Sequence, residues 1–120
     1  FPMIVNNDER QWAWMDEGIN TYVQYITEQK LGKDIPEIIY PLKEYPSRRG
    51  KAKDIVNYMS VDQNSLAPIM SNPENVYSLG PNAYGKPATA LNILRETIMG
   101  KELFDHAFKT YILRHALYWR

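Results

Sequence analysis

Six of the eight prolines fall between Lys33 and Pro81, and this placement confines long helices to the two ends of the 120-residue chain. A proline inside a helix removes a backbone donor and clashes with the preceding turn, so the middle reads as a connection. Short helical pieces fit at 35–42 and near 53–58, and 62–81 reads as loop around Asn64-Ser65, Ser71-Asn72-Pro73 and Leu79-Gly80-Pro81. Connections of this length are uncommon in compact domains and are often functional.

Outside that segment, three stretches carry helical periodicity. The first runs from about Met15 to Leu31, with Ile19, Tyr22, Val23 and Ile26 on one face and Gly32 as the stop. The second runs from about Asn82 to Met99 with Leu91, Leu94 and Ile98 as its stripe, and Gly100 ends it. The third spans about Lys101 to Leu117, with Leu103, Ala107, Phe108, Tyr111 and Ile112 on its apolar face. Alternating strand patterns are scarce. The class expected is all-α, in a single domain covering 1–120, because this length leaves no room for a second core.

Composition excludes several roles. Fourteen basic residues balance fourteen acidic ones, which argues against nucleic acid as a partner. The basic run from Lys43 to Lys53 reads as a solvated connecting face. No apolar run is long enough to span a membrane. Without cysteine there are no disulfides or thiolate sites, and the cellular compartment stays open. The opening Phe1-Pro2-Met3-Ile4-Val5 has no basic region before it and is not a signal peptide; it reads as a piece of a longer protein.

The most informative stretch is Trp12-Ala13-Trp14-Met15-Asp16-Glu17-Gly18-Ile19-Asn20-Thr21-Tyr22, where two acids and a glycine open a helix behind paired tryptophans. Read from the residues alone, Asp16 and Glu17 offset the positive end of the helix macrodipole. The stretch also resembles the third-ligand segment of the aminopeptidase N-like gluzincin zinc peptidases, whose pattern is W-x-(D/N)-E-G-x-x-(T/S)-Y. In that family HExxH lies on one helix and the glutamate ligand on the next. Phe1 fits the aromatic place that follows HExxH, and Glu17, 16 positions later, then falls at the family's spacing. A second stretch, Ala83-Tyr84-Gly85-Lys86-Pro87-Ala88-Thr89-Ala90-Leu91, is similar to the family's Y-x-K-G segment, with Pro87 in place of the glycine. Tyr77 is the rival tyrosine. Downstream, Gly100 and the Phe104, Phe108 and Tyr111 spacing follow the family's helix, glycine, helix layout.

The resemblance implies a helical part of a thermolysin-like catalytic domain. It implies that Glu17 is the carboxylate ligand of a zinc ion and that Tyr84 donates a hydrogen bond to the oxyanion formed from a peptide substrate. HExxH itself is absent. His106 and His115, the two histidines, are nine positions apart in an expected helix and so face opposite ways. A surface pair with Glu102 is expected for His106, and a place near a helix end for His115. With one ligand of three, this chain is expected to bind no zinc tightly and to be inactive alone. The face left by a missing HExxH helix is expected to be apolar and to favour self-association. Two other readings stand beside this one: a helical interaction module in which Glu17 is only a helix-terminal acid, and a non-catalytic relative that binds peptides.

Overall fold

A computed structural model describes residues 4–34, 56, 60, 62, 64, 66–75 and 79–116. Among them the architecture is all-α, with a lone antiparallel bridge between Val5 and Ala116 and no strand. None of these helices is long and apolar enough to cross a membrane. Most of the Pro-rich connection, including the short helical piece expected at 35–42 and Tyr77, lies outside the described residues. Within that connection Pro73–Asn75 forms a single 3₁₀ turn.

Asp8 organises the approach to the first helix, its backbone carbonyl accepting from the amides of Gln11 and Trp12 at 3.1 and 2.8 Å. The chain then enters a π-helical turn, Trp14–Gly18, that continues into α1, Ile19–Asp34. At this junction the Thr21 hydroxyl donates to the Glu17 carbonyl at 2.7 Å. The helix passes through Gly32 instead of stopping there. An interior glycine weakens a helix by about 1 kcal/mol relative to alanine without ending it.

The second long helix is built from three pieces: a π turn Pro81–Gly85, then α2, Lys86–Ile93, then a second π segment Leu94–Ile98. Pro87 accounts for the first widening. It has no amide hydrogen to give to the carbonyl of Ala83, and its ring crowds that same carbonyl, so an α-helical turn cannot close there. The bond from the Met99 amide to the Leu94 carbonyl at 2.8 Å closes the second π segment. Gly100 then takes φ 81° and ψ 156°, a region only glycine occupies without strain, and α3 runs over Lys101–His115.

Tyr22 of α1, Ala88 of α2 and Phe104 of α3 form the centre of the core. Val23, Ile26, Leu91, Leu94, Met99 and Phe108 pack around it. Tyr22 meets both phenylalanines edge-on, with ring centroids 5.7 Å from Phe104 and 5.8 Å from Phe108, the geometry that aromatic quadrupoles favour. The expected stripe of α1 is confirmed, and the other two hold in part: Leu91, Leu94, Phe108, Tyr111 and Ile112 are half-buried, whereas Ile98, Leu103 and Ala107 are exposed. Ile98 and Leu103 are mostly exposed, while Phe104 carries the buried position of α3 together with Phe108 and Tyr111, which stack along the helix. The break at Gly100 rotates α3 so that Phe104, rather than Leu103, meets Tyr22.

Candidate functional site

Both candidate residues sit on π-helical turns: Glu17 in Trp14–Gly18 and Tyr84 in Pro81–Gly85. Such single wide turns occur often at functional sites. The two turns pack directly on one another through the residues next to the candidates. A methyl group on Gly18 would overlap Cγ of Pro87 and come within 2.7 Å of its Cβ and 2.9 Å of the Ala83 carbonyl oxygen. Only glycine allows this approach. The glycine after Glu17 is thus seated against the residue before Tyr84, and the Pro87 ring fills the space over it. Glu17 and Tyr84 are each half-buried.

Asp16, next to Glu17, is 9% exposed. Burial raises its carboxyl above the ordinary carboxylate value, the charges of Glu17 and Glu9 act in the same direction, and a hydrogen bond from the Asn7 side chain acts against them. Among the described residues three further polar ones, Thr21, Asn82 and Thr89, are more deeply enclosed. Among the described residues, five buried side-chain atoms have no hydrogen-bond partner: Asn7 Oδ1, Trp14 Nε1, Tyr22 Oη, Asn82 Oδ1 and Thr89 Oγ1. Trp14, Tyr22 and Thr89 lie within the two stretches singled out in the sequence, Asn82 immediately precedes the second, and Asn7 is bonded to Asp16. Most buried polar atoms in folded proteins are paired, so each of these carries a desolvation cost.

The donor set for zinc is incomplete. Glu17 is an oxygen donor of a kind zinc accepts, yet among the described residues no three His, Cys, Asp or Glu side chains converge. His106 and His115 both lie exposed on α3. No ion pair joins His106 to Glu102; its carbonyl accepts instead from the Thr110 hydroxyl at 2.9 Å. The His115 ring packs on Tyr111 at 4.8 Å at the end of α3.

Three features of the site were not singled out from sequence. The steric reason for Gly18 needs the partner helix. The bonds from Asn82 and Lys86 to the 66–68 loop span 14 and 19 residues, and nothing local announces them. The Asn7 bond to Asp16 comes from a segment without periodicity. Comparison with family models, with curated proteins and with solved structures gives no match.

Proposed function

We propose that this chain is part of the thermolysin-like catalytic domain of a zinc metallopeptidase of the aminopeptidase N-like type. In that reading Glu17 is the carboxylate ligand and Tyr84 the hydrogen-bond donor to the substrate's carbonyl oxygen. The observation that carries it is the seating of Gly18 on Ala83 and Pro87, which brings together the two stretches that resemble that family although 66 residues separate Glu17 from Tyr84. A helix-terminal acid in an unrelated helical module has no need of a tyrosine-bearing turn pressed against it.

Two imidazoles have to come from outside this chain to complete a His₂Glu set. Zinc, when held, supplies Lewis acidity toward a carbonyl. The rest belongs to residues present here. Glu17 offers its carboxylate from a turn fixed by the Gly18 contact and by the Thr21 bond to its own carbonyl. Tyr84 offers a phenolic proton to the carbonyl oxygen as negative charge gathers on it, a donation whose removal costs about 3–4 kcal/mol of transition-state stabilisation. The peptide substrate would lie between them.

Zinc stoichiometry tests this on the protein extended upstream through the preceding helix of its natural sequence, beside the same protein carrying Glu17→Gln. About one zinc per chain, lost in the variant, is the outcome expected for three convergent ligands. No zinc, or zinc indifferent to the substitution, overturns the reading and leaves a helical interaction or peptide-binding domain.

A further inference from the structure

Asn82 and Lys86 stand one turn apart on the same face of their helix, and both reach to one short piece of loop. Asn82 Nδ2 donates to the Pro68 carbonyl at 3.2 Å, and Lys86 Nζ donates to the Ala67 carbonyl at 2.6 Å. Consecutive carbonyls of the loop are thus gripped by consecutive turns of the helix. Asn82 is 3% exposed and Lys86 is half-buried, so neither arm is loose in water. The lysine bond is charge-assisted, which makes it the stronger of the two.

Tyr84 lies midway between these anchors, about half a turn around the helix at roughly 100° per residue. On another face of the same turn, Ala83 and Pro87 press on Gly18. The turn that carries Tyr84 is therefore held through two sets of contacts. A π turn with a proline just beyond it lacks part of the usual backbone ladder, so such external anchors decide where its side chains point.

We propose that Asn82 and Lys86 are positioning residues for Tyr84, clamping its turn to Ala67 and Pro68 so that the phenol is held ready for the developing oxyanion. This rests on the role given to Tyr84 above. A donor of this kind is effective only when its proton already sits near 3 Å from where the charge will appear, and a misplacement of about 1 Å costs on the order of 100-fold in rate.

The test is carbon-13 NMR of tyrosine ring Cζ in the chain itself, with the Tyr84 resonance identified by its loss in Tyr84→Phe. Lys86→Met and Asn82→Ala each shift or broaden the Tyr84 signal while those of Tyr22 and Tyr111, in the aromatic cluster, hold. Lys86→Arg, which keeps a cationic donor, restores it. Should Lys86→Met fail to fold, the milder Asn82→Ala carries the measurement. In the upstream-extended protein the same two variants lower kcat by about 10- to 100-fold with KM nearly unchanged. A Tyr84 signal unmoved in a folded variant overturns the clamp whatever the enzyme does. A moved signal, with no peptidase activity in the unsubstituted extended protein, leaves the clamp standing and overturns the peptidase reading on which the donor role of Tyr84 rests.

Discussion

Tyr22 places its ring at the centre of the aromatic cluster with 1% of its surface exposed, and its hydroxyl finds no partner there. Burial raises the phenol above its ordinary value, outweighing the opposing attraction of Arg95. An unpaired buried hydroxyl is a desolvation cost, so Tyr22→Phe is expected to stabilise the chain by about 1 kcal/mol, read as a higher urea midpoint at unchanged slope. A lower midpoint would show that the hydroxyl is bonded in solution. The ring was legible in the sequence because α1 presents Ile19, Tyr22, Val23 and Ile26 on one face. The state of its oxygen was not, because that depends on Phe104 and Phe108, more than eighty residues away. Glu17 and Tyr84 show the same division. Local pattern named both, but only the packing of Gly18 shows that their turns meet.

Between elements, Gly18 makes a close joint with Ala83 and Pro87. Gly18→Ala forces its methyl into Pro87 and the Ala83 carbonyl and is expected to destabilise by about 1–3 kcal/mol, the range of overpacking in a well-filled core. Pro87→Gly removes two of the three obstructing atoms, and the double variant is expected to be more stable than the two single losses added together. A thermal-denaturation cycle over the four proteins checks this, and strict additivity would mean that the side chains do not meet. A second joint ties the Leu94–Ile98 segment to α3. Arg95 donates from Nε and Nη2 to the two oxygens of Asp105 at 2.7 and 2.8 Å. That hydrogen bond, with the Arg95 charge behind it, holds the Asp105 carboxyl below its ordinary value. Because the folded value lies below the unfolded one, the pair stabilises fully above about pH 4–5 and fades as pH falls through the folded value. Asp105 is half exposed, so the contribution is expected to be about 1 kcal/mol or less. Asp105→Asn should therefore lower stability at pH 7 and leave it unchanged near pH 2, as two pH-resolved urea titrations would show. The three helices were legible from periodicity, and so was the break at Gly100. The rotation that exposes Leu103 and buries Phe104 was not, since the φ of 81° at Gly100 sets it and periodicity carries no information on phase across a break.

For the molecule as a whole, Ile98, Leu103 and Leu113 remain more than half exposed. Two of them, Ile98 and Leu103, flank the Gly100 corner, and exposed apolar side chains can favour association. Sedimentation velocity is expected to show concentration-dependent association that Ile98→Ser with Leu103→Ser reduces; an ideal monomer at every concentration would dismiss it. The all-α class followed from proline placement and periodicity. What escaped the sequence is how Val5 joins the helices. Val5 bridges to Ala116 and is 1% exposed, so one of the most deeply enclosed of the described residues lies close to one end of the sequence and pairs with a residue close to the other. That contact closes a loop of nearly the entire chain, and its entropic cost is met only once the helices between have packed. It should therefore form after the rate-limiting step of folding. Val5→Ala, costing about 2 kcal/mol, is expected to leave the folding limb of a chevron plot in place and to raise the unfolding rate by roughly 30-fold. On that outcome the bridge would act as a latch on lifetime, setting how long the folded chain persists rather than how fast it forms.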